Sequence, residues 1–180
     1  GTGELESGAL EELTYEGYVA DGVAVLVHAL TDNRNRAAAN IRALFTKNNS
    51  TLAGNGAVAW LFNRKARFLV ENTDEDTILE LLIEADVNPD DVSADTPDTI
   101  EIVASPDQFG AIDEALRAQE LTVAESGLTM IPDTTVEVSN VAEARQILRL
   151  IDALEEEEDV QEVTANFEFT DEVAAALEDE

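Results

Sequence analysis

The sequence has 180 residues, with ten Lys and Arg against forty Asp and Glu, a formal net charge of −30. That length suits one domain or two small ones, and 44% hydrophobic residues supply a core, which excludes a wholly disordered acidic tail. No run approaches the roughly 20 apolar residues of a membrane span, and the lack of cysteine removes disulfides, thiolate nucleophiles and Cys-based zinc sites, so a reducing cytoplasm is the expected compartment.

In chain order, Glu12–Tyr18 alternates, with Leu13, Tyr15 and Gly17 on one side, and reads as an edge strand. A turn at Ala20-Asp21-Gly22 leads into Val23–Leu30, apolar on both faces and therefore a buried central strand. Thr31-Asp32-Asn33 offers N-cap chemistry for a helix to about Lys47, with Ala37, Ile41, Leu44 and Phe45 inward and Arg36, Asn40 and Lys47 opposite. After Gly54 and Gly56, the alternation of Val58, Trp60 and Phe62 predicts a strand over Ala57–Phe62.

The pattern then restarts. A short strand at Phe68–Glu71 precedes a helix over Asp74–Ala85 with Ile78, Leu81, Leu82 and Ala85 inward. Asp91–Ala94 and Thr99–Ala104 form a hairpin. Ser105-Pro106 opens a helix to about Gln119 with Phe109, Ile112 and Leu116 inward, and Leu121–Met130 is the last strand of this block. Its order is β-α-β-β-α-β. The flanks close a second such unit, with a strand at Thr134–Val138, a helix at Asn140–Glu155 and a strand at Val160–Phe167. The inward face of that helix is Val141, Ala144, Ile147, Leu148, Ile151 and Leu154. The expected fold class is α+β, two ferredoxin-like domains with one inserted into the other: 1–63 plus 132–170 outside, 64–131 inside, and an acidic helical tail at 171–180 that frays.

Charge is not spread evenly. From Asn33 to Val70 there is no Asp or Glu, yet seven of the ten basic residues lie there: Arg34, Arg36, Arg42, Lys47, Arg64, Lys65 and Arg67. Either this segment meets an anionic partner such as nucleic acid, or it compensates the acidic remainder internally. The overall acidity fits a surface adapted to high salt, where counterions screen the repulsion. Catalytic and metal constellations fail on inspection. The single histidine, His28, lies inside an apolar strand, where a core or sheet-facing role fits better than catalysis. Gly54-Asn55-Gly56 lacks the lysine and hydroxyl of a P-loop. The stretch from Asp86 has Asp91 and Pro97 where a calcium loop needs glycine and glutamate. Trp60 and Phe62 could stack on RNA bases from an exposed sheet, but without the basic-glycine-aromatic signature of RNA-recognition motifs they are expected in the core.

Several segments together resemble the YebC/PmpR family: Tyr15-Glu16-Gly17-Tyr18, Gly22-Val23-Ala24-Val25, Thr31-Asp32-Asn33-Arg34-Asn35-Arg36, Phe45-Thr46-Lys47, Gly56 to Phe62, Met130-Ile131-Pro132, Leu150 to Leu154, and Asp159-Val160-Gln161. Two departures concern turns: Val19-Ala20-Asp21 stands where the family has Gly-Pro-Gly, and Gly56-Ala57-Val58 where it has Gly-Ser-Val. The resemblance implies three domains, the latter two ferredoxin-like. The chain opens with Gly1-Thr2-Gly3-Glu4-Leu5 rather than Met, where that family leaves a basic N-terminal helical domain, so a longer native chain is expected. The implied function is regulation of gene expression without enzymatic activity, through promoter DNA in bacterial members or through translation and ribosomal RNA in relatives such as a mitochondrial translational activator. On this reading Asn33, Arg34, Asn35, Arg36, Arg42, Lys47, Arg64, Lys65 and Arg67 are the candidate nucleic-acid contacts of a cytoplasmic monomer that needs no cofactor and no membrane. A small-molecule-sensing or protein-interaction module, with Arg34 and Arg36 on an anionic ligand, is the alternative.

Overall fold

The computed structural model describes residues 9–179, so the opening segment from Gly1 to Leu5, read above as a domain junction, lies outside the described residues. Two compact units emerge among the described residues, one from residues 9–62 with 132–179, the other from residues 63–131. Each is α+β and ferredoxin-like. Among the described residues no helix is long and apolar enough to cross a membrane.

The first unit is built from β1 (Glu11–Val19), β2 (Val23–Thr31), α1 (Arg34–Lys47) and β3 (Thr51–Ala53). After the insertion it continues with β8 (Val136–Val138), α4 (Val141–Glu156), β9 (Val160–Ala165), β10 (Phe167–Phe169) and α5 (Asp171–Glu178). Its main sheet runs β3-β1-β2-β9. Val23, Val25, Val27 and Ala29 of β2 point to one side and share a core with Ile41 and Phe45 of α1 and Ala144, Ile147, Leu150 and Leu154 of α4.

Several expectations need correction here. β1 is not an edge: it pairs with β2 along its whole length and with β3 on its other side. β1 fills the slot between β2 and β3 where a plain βαββαβ unit would put the strand after the insertion, and β8 pairs instead with β10, in parallel, as a separate ribbon. The single strand expected over Val160–Phe167 is broken at Asn166. The buried Asn166 side chain accepts the Ala24 N–H at 2.8 Å through Oδ1 while the Asn166 backbone N–H donates to the Ala24 carbonyl at 3.1 Å. These bonds satisfy β2 where the ladder leaves it. The acidic tail is a docked helix: Thr170 caps α5 by accepting the Val173 N–H, and Val173 is buried in the core. On α4 the buried positions are Ala144, Ile147, Leu150 and Leu154, so Leu150 joins the inward face, while Val141, Leu148 and Ile151 are only partly covered.

The second unit consists of β4 (Phe62–Glu71), α2 (Glu75–Glu84), β5 (Asp91–Thr96), β6 (Thr99–Ala104), α3 (Phe109–Ala118) and β7 (Thr122–Pro132). Its sheet order β5-β6-β4-β7 makes each βαβ crossover skip one strand, the regular ferredoxin-like arrangement. Phe68, Val70, Ile100 and Ile102 meet Ile78, Leu82, Ile112 and Leu116 in its core, and Phe68 stacks on Phe109 at 4.8 Å. Asp74 caps α2, accepting the Thr77 N–H. Ala85 is exposed and Val87 is buried in its place. Ser105 makes no side-chain cap; Pro106 opens a single 3-10 turn from which α3 continues. His28 lies half-buried on β2, opposite Thr14 and Glu162, on the face turned away from the first unit's helices.

Candidate nucleic-acid interface

Helix α1 starts because Asn33, in extended conformation, accepts the Arg36 N–H at 3.0 Å through Oδ1, closing one of the open donors of the first turn. Ala37, Ile41 and Phe45 recur on the buried side. Of the remaining residues from Asn35 onward, Ala38 and Leu44 are half-buried, while Asn35, Arg36, Ala39, Asn40, Arg42, Ala43, Thr46 and Lys47 are exposed, and none is acidic. Lys47 in the last turn also complements the negative end of the helix dipole.

The cations on this helix are not equivalent. Arg36 reaches Asp32 at 2.8 Å and the buried Asp159 at 3.1 Å, while the Thr31 hydroxyl donates to the same Asp159 carboxylate at 3.0 Å. The bonds to Asp159 and Asp32 raise the guanidinium pKa further. Arg36 is thus a fastener between α1 and the start of β9. Arg34 lies 3.4 Å from Glu11 but stays well exposed. Arg42 and Lys47, among the described residues, have no carboxylate within ion-pairing distance. Asn35 is exposed on the first turn.

The basic residues of β4 belong to the second unit. There Lys65 pairs with Asp90 at 2.7 Å, and Arg67 bridges Glu101 at 2.7 Å and Glu125 at 2.8 Å. Burial alone would lower the Arg67 pKa, but its two carboxylate partners outweigh it and the net shift is upward. Arg64 is exposed, with no carboxylate in reach among the described residues. One run in the sequence is therefore two sets in space. Four cations ride on α1, and of the three on β4, two are held in ion pairs.

The residues from Ala57 to Leu61 correct the expected strand. They form a loop ending in a 3-10 turn over Ala59–Leu61, and regular pairing begins only at Phe62. The cause is Glu16, which projects from β1 on the face away from α1 and is only 4% exposed. Its carboxylate accepts the N–H groups of Gly56 at 2.6 Å, Val58 at 2.9 Å and Ala59 at 2.6 Å. Burial pushes the Glu16 pKa up, yet the three amide bonds prevail and hold it below its ordinary value, so the group stays charged. Val58 and Phe62 turn inward, but Trp60, expected in the core with them, is 71% exposed. Glu16 and Asp159 escaped the sequence reading because forty acids hide two buried ones.

Comparison with known proteins agrees with this architecture. The family model described as TACO1/YebC second and third domain matches residues 10–167. A probable transcriptional regulatory protein of Syntrophobacter fumaroxidans is 45% identical over 96% of this chain and 69% of its own length. One of the same description from Chromohalobacter salexigens is 39% identical over 99% of this chain and 71% of its length. The crystal structure of a conserved hypothetical protein, Aq1575, from Aquifex aeolicus superposes with a TM-score of 0.82 at 37% identity, over 95% of this chain and 70% of that one. With fold, motif spacing and similarity over nearly all of this chain in accord, the chain belongs to the TACO1/YebC family, of which it spans the second and third domains.

Proposed function

We propose that this chain is a non-enzymatic regulator of gene expression that touches nucleic acid through the solvent face of α1. The observation that carries this reading is an exposed, acid-free helix face on an otherwise anionic protein, with Arg42 and Lys47 lacking carboxylate partners among the described residues. Arg42, Lys47 and the loosely paired Arg34 are the phosphate contacts, aided by the Asn35 amide. Arg36, which also belongs to the initial set of contacts, serves the fold instead. Arg64 is a further contact on the second unit, while Lys65 and Arg67 are committed to their own carboxylates. The description of the relatives as probable transcriptional regulatory proteins supports the regulatory role.

The shape of the patch favours a particular kind of target. A helix of 14 residues extends about 21 Å, and forty acids elsewhere repel a long straight duplex. A structured RNA that offers phosphates at one place suits such a patch better than an extended promoter footprint, which places ribosomal RNA ahead of promoter DNA.

The test is Arg42→Glu/Lys47→Glu, assayed for binding to a folded ribosomal RNA fragment and to duplex DNA across a salt series. Removing two phosphate contacts lowers the log–log salt slope by roughly 1.5 and weakens binding, more visibly on RNA. Unchanged affinity and slope on both ligands would refute the α1 interface.

A further inference from the structure

Among the described residues, six large apolar side chains stand exposed, but Tyr18 and Trp60 converge on one point. The Trp60 Nε1–H donates to the Ala57 carbonyl at 3.1 Å, and the Tyr18 hydroxyl lies 3.5 Å from the same oxygen. That oxygen is fixed in turn, because Glu16 grips the amides on either side of it, at Gly56 and Val58, and the next one at Ala59. A flexible loop would let an isolated tryptophan fold back over apolar surface. Here a buried, charged carboxylate holds it out, with one edge of the indole tied and 71% of the residue open to solvent.

We infer that Tyr18 and Trp60 form a stacking site for an unpaired nucleobase. This rests on the nucleic-acid reading above and adds a contact that the α1 cations do not make. Glu16 and Tyr18 project from the sheet face opposite Gly17, which packs on Phe45 of α1, so the rings and the α1 cations lie on different faces of the first unit. Bases offer a π-face whatever their identity, and rings already held in place lose little freedom on binding. Charge permits a nucleotide here: Asn48 to Asn63 carries no charged side chain and lies inside the acid-free stretch, and the Glu16 oxygens are occupied by amides. A lysine or arginine of a protein partner is the competing occupant, since aromatic faces also attract cations and Asp133 borders the loop through its N–H to the Leu61 carbonyl.

Trp60 is the sole tryptophan, so its fluorescence reports on the site directly. The 180-residue chain is titrated with an oligouridine octamer, an abasic octamer of equal charge and a lysine-rich peptide. The octamer quenches Trp60 saturably at concentrations at least roughly ten-fold below the abasic chain. In anisotropy with a labelled octamer, Trp60→Ala weakens binding by roughly ten-fold and Trp60→Phe by less, while the melting temperature of both variants stays at that of the parent. If the octamer binds without quenching and Trp60→Ala keeps full affinity, the stacking site is wrong while the α1 interface stands. Quenching by the peptide but not by the octamer assigns the rings to a cationic partner and overturns the inference, as does quenching by neither. The α1 interface is judged separately, by Arg42→Glu/Lys47→Glu on folded RNA with both rings intact.

Discussion

The two units share a fold but hold it by different means. In the second unit every strand lies in one sheet, with a register shift in β5 between Ala94 and Thr96, its fully buried residues are apolar, and its ion pairs sit toward the surface. Glu16, Thr31, Asp159 and Asn166, the polar residues buried as a whole among the described residues, all belong to the first unit, whereas the second shields single polar atoms of partly exposed residues, Thr73 Oγ1 and Gln108 Oε1. Each polar residue buried as a whole stands where the backbone leaves the regular pattern. Glu16 holds the loop that replaces a strand, Thr31 and Asp159 join the end of β2 to the α1 entry and the β9 start, and Asn166 spans the break between β9 and β10. A regular ladder satisfies its own amides, so apolar patterning suffices to specify it; an irregular path needs side chains to take over that work. The irregular unit is also the one that displays the exposed cations of α1 and the exposed tryptophan.

The sharpest way to break this contrast is to remove the largest of those polar anchors. Glu16→Ala leaves three amides without their acceptor, and the expected loss is about 3 kcal/mol, or roughly 6–12 °C in melting temperature for a chain of this size. The pH dependence has a definite sign. Because the folded pKa of Glu16 lies below its unfolded value, its contribution is complete above the ordinary carboxylate range near 4.3 and disappears as pH falls through the folded value. The stability gap between the parent and Glu16→Gln, measured by thermal melts from pH 7 downward, therefore narrows below about pH 4. A gap that stays constant or widens there would remove Glu16 as a charged anchor.

A second variant probes packing in the same unit. A Cβ on Gly17 would sit 2.5 Å from the Thr51 carbonyl oxygen and 2.6 Å from the Phe45 ring. Backbone of β3 on one side and a fully buried ring of α1 on the other leave little room to yield. Gly17→Ala costs about 2 kcal/mol by overpacking, read as a lowered melting temperature. Gly127→Ala on β7, where a Cβ meets nothing within 4 Å, is the control and stays near the parent.

How much of this was legible in the sequence follows the same division. The second unit could be read almost element by element, because Ile78, Leu82, Ile112 and Leu116 keep helical spacing and Ile100 and Ile102 alternate. The α1 start was legible from Thr31-Asp32-Asn33, with Asn33 proving to be the cap. What escaped was the geometry that buried polar groups dictate. Val58, Trp60 and Phe62 alternate as a strand would, yet three hydrogen bonds to a residue about 40 positions away bend that segment into a loop. The charge window misled for a related reason. Counting acids between Asn33 and Val70 cannot see that Arg36 and Arg67 each find two carboxylates from outside the window, while Arg42 finds none among the described residues. The C-terminal segment was legible as a helix, but its acidic composition hid its docking, though Val173 and Leu177 stand four apart and both face the core.

The smallest effects sharpen the comparison furthest, since they set a buried anchor in one unit against a surface pair in the other. Asp159→Ala removes an acceptor shared by the Thr31 hydroxyl and the Arg36 guanidinium, leaving Arg36 only its exposed Asp32 carboxylate, and the expected cost is about 1–2 kcal/mol. Lys65→Met in the second unit removes a pair whose members are both partly exposed, and there the expected change is about 0.5 kcal/mol or less. Salt separates the two further. Raising ionic strength erodes the exposed pair more than the contacts of the buried Asp159 carboxylate, one of which comes from the neutral Thr31 hydroxyl, so the gap between the variants grows in molar salt. If denaturant melts show the two substitutions equal at both ionic strengths, buried polar anchoring does not distinguish the irregular unit from the regular one. The placement of Arg36 in the fold, apart from the exposed cations of α1, would then lose its energetic basis.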